Sequence, residues 1–356
     1  MKMIERYLED LEGRIEPEVE DDLLEQWRQF MEGSFQGEVF LPRRLHSAPP
    51  RVTWPPVLVN EALESFEQMA LHQLRVCSES LSNGSGDLLA VRANYGTGII
   101  PTLFGAELFM MEREMDTLPT TRPLAGGSET IRRLIDRGIP DIYHALGGKT
   151  FATGQYFLNL VKSYPKISHY VHLYHPDTQG PMDICELLWG SGLFLAVVNE
   201  PGLVKELLGL ITETYIRFMK QWRQVASTTG PYAVHWGLLH KGTIMLRDDS
   251  AMNFSPRMFE EFIEPYDQRL LDEFGGGAAH FCGRGDHYIQ RLAALRGLYA
   301  IQMSQPEYND MEKVFRHTVD RGVLLIGFPR EAAEDAARRG RNLRGRVHGW
   351  SGGTGS

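Results

Sequence analysis

The sequence predicts an α/β protein, a single (β/α)8 TIM barrel behind an N-terminal helical extension. Three observations carry this. Strand-like and helix-like segments alternate in eight units over about 300 residues, which favours a closed parallel barrel over an open sheet. The strand candidates, such as YAIQM and LLIGF, are apolar on both faces, as parallel strands covered by helices must be. Polar residues collect at the C-terminal ends of those strands, where a barrel places its site.

Residues 3–33 carry helical spacing at Ile4, Leu8 and Leu11, then at Leu23, Leu24, Trp27, Phe30 and Met31, as two amphipathic helices do. The proline-rich run 39–56 interrupts regular structure, and a first strand follows at Val57–Asn60. A helix over 61–81 comes next, then a turn at NGSGD (83–87). DLLAVRANYG (87–96) reads as a strand ending in a glycine loop. Helices over 128–137 and 151–163 precede a strand at HYVHLYH (169–175). Helical pattern then fills 182–195 and 201–226. GTIMLRDDS (242–250) is a strand, and a helix over 256–274 follows, with Ser255 as N-cap and Pro256 in its first turn. Strands at 277–283, 297–304, 322–328 and 346–350 alternate with helices over 285–296, 309–321 and 330–340. The expected organisation is a helical extension over 1–50, a barrel over 51–350 and a tail over 351–356.

The formal net charge of −9 argues against a surface built for non-specific phosphate contacts, so nucleic acid is not an expected partner. The one basic cluster, RRGRNLRGR (338–346), reads as a solvated face, with an anion or partner contact as the alternative. Three scattered cysteines, Cys77, Cys185 and Cys282, make no disulfide framework, and a reducing cytoplasm is the expected compartment. No apolar run approaches the length of a membrane span.

GAAHFCGRG (277–285) focuses the chemistry. In a strand, residues two apart share a face, so His280 and Cys282 look the same way while Phe281 looks oppositely. The neighbouring strand ends contribute Asn94, Tyr95, Tyr174, His175, Asp177, Ser250, Gln302 and His348. Asp248 and Asp249 are adjacent and face opposite ways, and Asp249 is the one expected in the barrel mouth. Cys185, in a helical run, reads as core. Trp236 and His240 carry weaker signals.

Longer segments add a family resemblance. LRDDSAMNFSPRMFEEFIEPYDQRLLDEF (246–274) resembles the Ser-Pro-x-x-Phe…Pro-Tyr segment of the uroporphyrinogen decarboxylase superfamily. HPDTQGPMDICELLWG (175–190) is similar to that superfamily's Gly-Pro stretch, and 200–222 to the long helix after it. The resemblance spans about residues 165–350 and implies the same (β/α)8 barrel. Two chemistries occur in the superfamily: cofactor-free decarboxylation of porphyrinogens, and zinc-dependent methyl transfer between a corrinoid and a thiol or related acceptor.

The decarboxylase's arginine-bearing segment has no match in TWPPVLVNEALES (53–65), and its pyrrole-binding aspartate falls at Asn94. Ser250 and His348 match its serine and its last-strand histidine. The methyltransferase branch carries His-x-Cys-Gly at a strand end, as HFCG (280–283) does. Its later cysteine has no counterpart, which leaves His348, Asp249 or Glu307 as third ligand. The resemblance therefore implies metal-dependent methyl transfer, with zinc on His280, Cys282 and His348 and the corrinoid carried by a partner protein. Asp249, Ser250 and His348 are the catalytic candidates. Asn94, Tyr95, Tyr174, His175, Asp177 and Gln302 are the substrate-binding candidates. A carboxy-lyase acting on a tetrapyrrole or smaller carboxylate, and a barrel that only binds a corrinoid or other tetrapyrrole, are the alternatives. A homodimer is one assembly the resemblance allows.

Overall fold

In a computed structural model, residues 2–227 and 230–350 are described. The expected tail over 351–356 lies outside them. The described strands, in chain order, are β1 (Val39–Phe40), β2 (Ala90–Val91), β3 (Glu107–Phe109), β4 (Thr120–Arg122), β5 (His172–Leu173) and β6 (Tyr232–His235). They continue with β7 (Leu238–Lys241), β8 (Ile244–Arg247), β9 (Gly277–Phe281), β10 (Leu298–Met303), β11 (Leu324–Pro329) and β12 (Val347–Trp350). Six of them form one parallel sheet in the order β1-β12-β11-β10-β9-β8. β2 and β5 form a separate parallel pair. β3–β4 and β6–β7 are antiparallel hairpins.

The fold is thus α/β with a mostly parallel sheet, as the alternation predicts, but its ladders do not close into a ring among the described residues. The two gaps are bridged by other contacts. At the gap between β5 and β8, the Met245 N–H donates to His175 Nε2 at 3.1 Å, and the Gly180 N–H donates to the Arg247 carbonyl at 2.8 Å. At the gap between β1 and β2, a Cβ on Gly86 would sit 2.1 Å from the Pro42 carbonyl oxygen, so the two chain segments touch.

The first strand lies elsewhere than expected. Val57–Asn60 is not a strand; the helix Val59–Glu64 starts there. The edge strand is β1, inside the proline-rich run, and it pairs with β12 through Val39↔Val347 and Phe40↔His348. The sheet therefore begins within the segment expected as an extension. The helices Lys2–Arg14 and Pro17–Met31 also bury their apolar stripes in the cores.

Strands β8 to β11 divide their side chains between two clusters, as a period of two requires. Ile244, Leu246, Ala279, Phe281, Ile301 and Leu325 pack under the helices. Met245, Ala278, Ala300, Leu324 and Ile326 face the opposite way, against Val234, Leu238 and Leu239 of the β6–β7 hairpin. Alanines at 278 and 300 leave the space that the hairpin occupies. Gly277 is tightly held: an added Cβ would lie 1.9 Å from the Ile244 carbonyl oxygen of the neighbouring strand. We expect Gly277→Ala to cost about 1–3 kcal/mol, read as a lower urea midpoint at unchanged m-value.

The basic stretch is neutralised locally. Arg341 and Arg344 both pair with Asp320, and Arg339 pairs with Asp335. No single described helix is long and apolar enough to cross a membrane.

Candidate metal centre

Register in the parallel sheet places three polar side chains in one layer. Arg247 pairs with His280 across β8 and β9, and His280 with Gln302 across β9 and β10. The next residues along the chain complete a cluster. Asp249 opens a short 3-10 helix, Asp249–Asn253, one residue after the end of β8. The Asp183 carboxylate holds that turn, accepting from the N–H groups of Asp249 at 2.9 Å and Ser250 at 2.8 Å. Cys282 directly follows β9, and its N–H donates to Asp249 Oδ1 at 3.0 Å.

One ligand atom each from Asp249, His280 and Cys282 therefore falls within 4.8 Å of the others. His280 Nε2 lies 3.3 Å from Cys282 Sγ and 3.4 Å from Asp249 Oδ1. Two ligands of one tetrahedral zinc stand roughly 3.3–3.7 Å apart, so these separations suit a shared ion. The imidazole is oriented by its other nitrogen: Nδ1 is hydrogen-bonded to Gln302 Oε1, and Gln302 Nε2 donates to the Gly327 carbonyl at 3.4 Å. An amide oxygen accepts, so the Nδ1 proton is fixed and the Nε2 lone pair is left for the cluster.

The electrostatics point the same way. Burial lowers the pKa of His280, but Asp249 and Cys282 outweigh it and hold the imidazole up to about 10. Burial raises Asp249, and His280 outweighs that, bringing the carboxyl down to about 2. The cluster thus holds a positive charge tightly. A metal cation can take the place of that proton.

Asp248, between the end of β8 and the 3-10 helix, turns the other way. It is buried near Asp267, and burial followed by carboxylate repulsion raises both well above the ordinary carboxyl range. Beside Asp249 lies a cavity of about 410 Å³, lined by Thr97, Gln179, Asp183, Glu186, Ser250 and others. Ser250 Oγ donates to Glu186 Oε2 there at 2.5 Å.

The remaining candidates distribute unevenly. His348 is not in the cluster. Its ring packs against Trp27 and Phe40, with centroids 4.6 Å and 5.8 Å away, and its Nδ1 accepts from the Gly327 N–H at 3.0 Å. The group that joins His280 and Cys282 is Asp249 rather than His348, because strand register sets His280 beside the end of β8, while His348 lies two strands beyond β10. The Tyr95 hydroxyl meets Thr153 Oγ1 at 2.7 Å, on the helix Leu146–Val161. His175 bridges strands, with Nδ1 donating to the Pro176 carbonyl at 2.8 Å. Asp177 is buried between two guanidinium groups, Arg92 at 2.5 Å and Arg247. Asn94 and Tyr174 line a second cavity, of about 580 Å³.

Sequence reasoning passed over Arg92 and under-weighted Trp236, which stacks on Arg247 at 4.5 Å and meets the His280 ring at 5.4 Å between centroids. Arg92 sits two residues before Asn94 in VRANYG, a spacing that shares one face in the strand expected over 87–96, and that spacing was the available signal.

A solved methyltransferase from Methanosarcina mazei is similar to this chain, with a TM-score of 0.62 at 14% sequence identity. The match covers 92% of this chain and 93% of that one. At this identity the likeness concerns the fold. No protein-family model and no curated protein matches the sequence.

Proposed function

We propose that Asp249, His280 and Cys282 hold one divalent metal ion, zinc by its donor set, and that the protein is a metal-dependent enzyme of methyl transfer. The observation that carries this reading is the convergence of three donor atoms on an imidazole whose tautomer is already set by Gln302. Imidazole, thiolate and carboxylate are together a zinc donor set, and three protein ligands leave a fourth position for substrate. Bound there, zinc would supply Lewis acidity, lowering the pKa of an incoming thiol so that it becomes a nucleophile near neutral pH.

The chain's own residues account for the rest. Gln302 holds the His280 ring in register. Asp249 is fixed by the Cys282 N–H and offers Oδ1 to the cluster. The cavity lined by Gln179, Glu186 and Ser250 gives an acceptor access beside Asp249. In this reading the methyl group arrives on a corrinoid carried by a partner protein. We also read β1, β2, β5 and β8 to β12 as one (β/α)8 barrel interrupted at two seams, supported by the hydrogen bonds that bridge β5 to β8.

Elemental analysis of the purified protein tests the reading, with about one zinc per chain expected. Methyl transfer from methylcobalamin to a small thiol is expected to stop on chelation and return with zinc. A protein that neither contains nor takes up zinc would overturn the reading. Gln302→Leu removes the acceptor for Nδ1 and is expected to weaken zinc binding about 10- to 100-fold, measured by competition with a chromogenic chelator.

A further inference from the structure

The seam between β1 and β2 opens into the 580 Å³ cavity, whose far end is buried. That end is lined by Arg92, Asn94, Tyr174, Trp236 and His348. Arg92 is 4% exposed and Asn94 6%. The same lining includes Arg43 and the carboxylates of Glu79, Asp87 and Asp116; Glu79 is paired with Arg75, and Asp87 accepts from Trp350 Nε1 at 2.9 Å.

Charge is not balanced at the buried end. Arg92 and Arg247 are both buried, and they share the single carboxylate of Asp177. His175, His235 and His240 stand nearby as neutral rings. Nδ1 of His175 and of His240 each donates to a backbone carbonyl, which leaves His240 Nε2 to accept from His235 Nδ1 at 2.9 Å. One guanidinium charge is therefore left without a carboxylate, and an unpaired buried charge is costly unless something answers it. Two further groups at this end lack a complete set of partners. Asn94 Oδ1 is buried and accepts from nothing among the described residues. His348 takes a backbone N–H on Nδ1, so its proton lies on Nε2 as a free donor.

Trp236 marks the same place by its backbone. It stands with Gly237 at the tip of the β6–β7 hairpin, with φ of +50° and +78°. Such two-residue turns favour Asn-Gly, and a bulky residue at positive φ is strained. The strain sets an indole between Arg247 and His280, as a wall of the cavity.

We propose that this seam cavity is a binding site for a small carboxylate bearing a hydroxyl or amino group beside the carboxyl. The carboxylate pairs with Arg92 in the cavity that His348 also lines. The neighbouring hydroxyl or amino group donates to Asn94 Oδ1. The site is independent of the metal reading, and the failure of either leaves the other standing.

The test uses mandelate, with mandelamide lacking the charge and phenylacetate lacking the hydroxyl, titrated calorimetrically into the full-length protein. Mandelate is expected to bind at least tenfold more tightly than mandelamide and several-fold more tightly than phenylacetate. Arg92→Met leaves Asp177 with Arg247 as a balanced pair, and is expected to reduce mandelate binding at least tenfold. Should that variant fold poorly by circular dichroism, Asn94→Leu, which touches no ion pair, is expected to erase the preference for mandelate over phenylacetate. Equal binding of mandelate and mandelamide, undiminished binding by folded Arg92→Met, or an unchanged hydroxyl preference in Asn94→Leu would each overturn the proposal.

Discussion

Replacing Cys282 by serine is expected to lower bound zinc from about one per chain to below about 0.2, because a serine hydroxyl stays protonated where a thiolate would bind. The geometry makes the cysteine hard to replace. His280 and Asp249, 3.4 Å apart, would be the two donors left, and two protein donors hold zinc far less tightly than three. The loss also reaches stability. A ligand at 100 times its Kd stabilises the folded state by about 2.7 kcal/mol, so a chelator should lower the Tm of the wild-type protein. The same chelator should leave the Tm of the serine variant unchanged. Elemental analysis and a thermal melt with and without chelator read both effects. A variant that keeps full zinc would remove Cys282 from the ligand set.

Asp177→Asn is expected to destabilise the protein by about 3–5 kcal/mol, the cost of leaving buried charges without their partner. Here two guanidinium groups lose the same carboxylate. The wild-type carboxyl also titrates with consequence. Burial raises its pKa, but Arg247 and Arg92 outweigh it and bring it down to about 2 from an ordinary 3.8. A depressed folded pKa contributes stability that is fully present above the unfolded value and is lost as pH falls through the folded one. The window is therefore pH 4 down to pH 2, and the contribution at neutral pH is about 2 kcal/mol. Urea unfolding at pH 6 and at pH 2.5 should show this share of stability in the wild type and not in Asp177→Asn.

Much of the site was written locally. The His-x-Cys spacing on a strand put His280 and Cys282 on one face before any fold was known, and the adjacent aspartates could not both look into the site. The structure keeps Asp249 with the cluster and buries Asp248 near Asp267. His348 was legible as a strand-end histidine, but its neighbours were not. Which strand stands beside β9 is a matter of sheet order, and no local pattern carries sheet order. The first strand was misplaced for a related reason. Val39–Phe40 is two residues long in a proline-rich run, and it is a strand only because β12 pairs with it.

By itself the sequence determined the alternation of strands and helices, the two-faced apolar strands and the paired His280 and Cys282. These follow from periodicities that the backbone imposes on any neighbours. Only the tertiary structure decided that Asp249 completes the cluster, that Gln302 sets the imidazole tautomer, and that the β6–β7 hairpin packs on the alanine-lined face of the sheet. It also decided that two arginines share Asp177. Each of these joins residues far apart in sequence, and strand register and charge burial act only after the chain has folded.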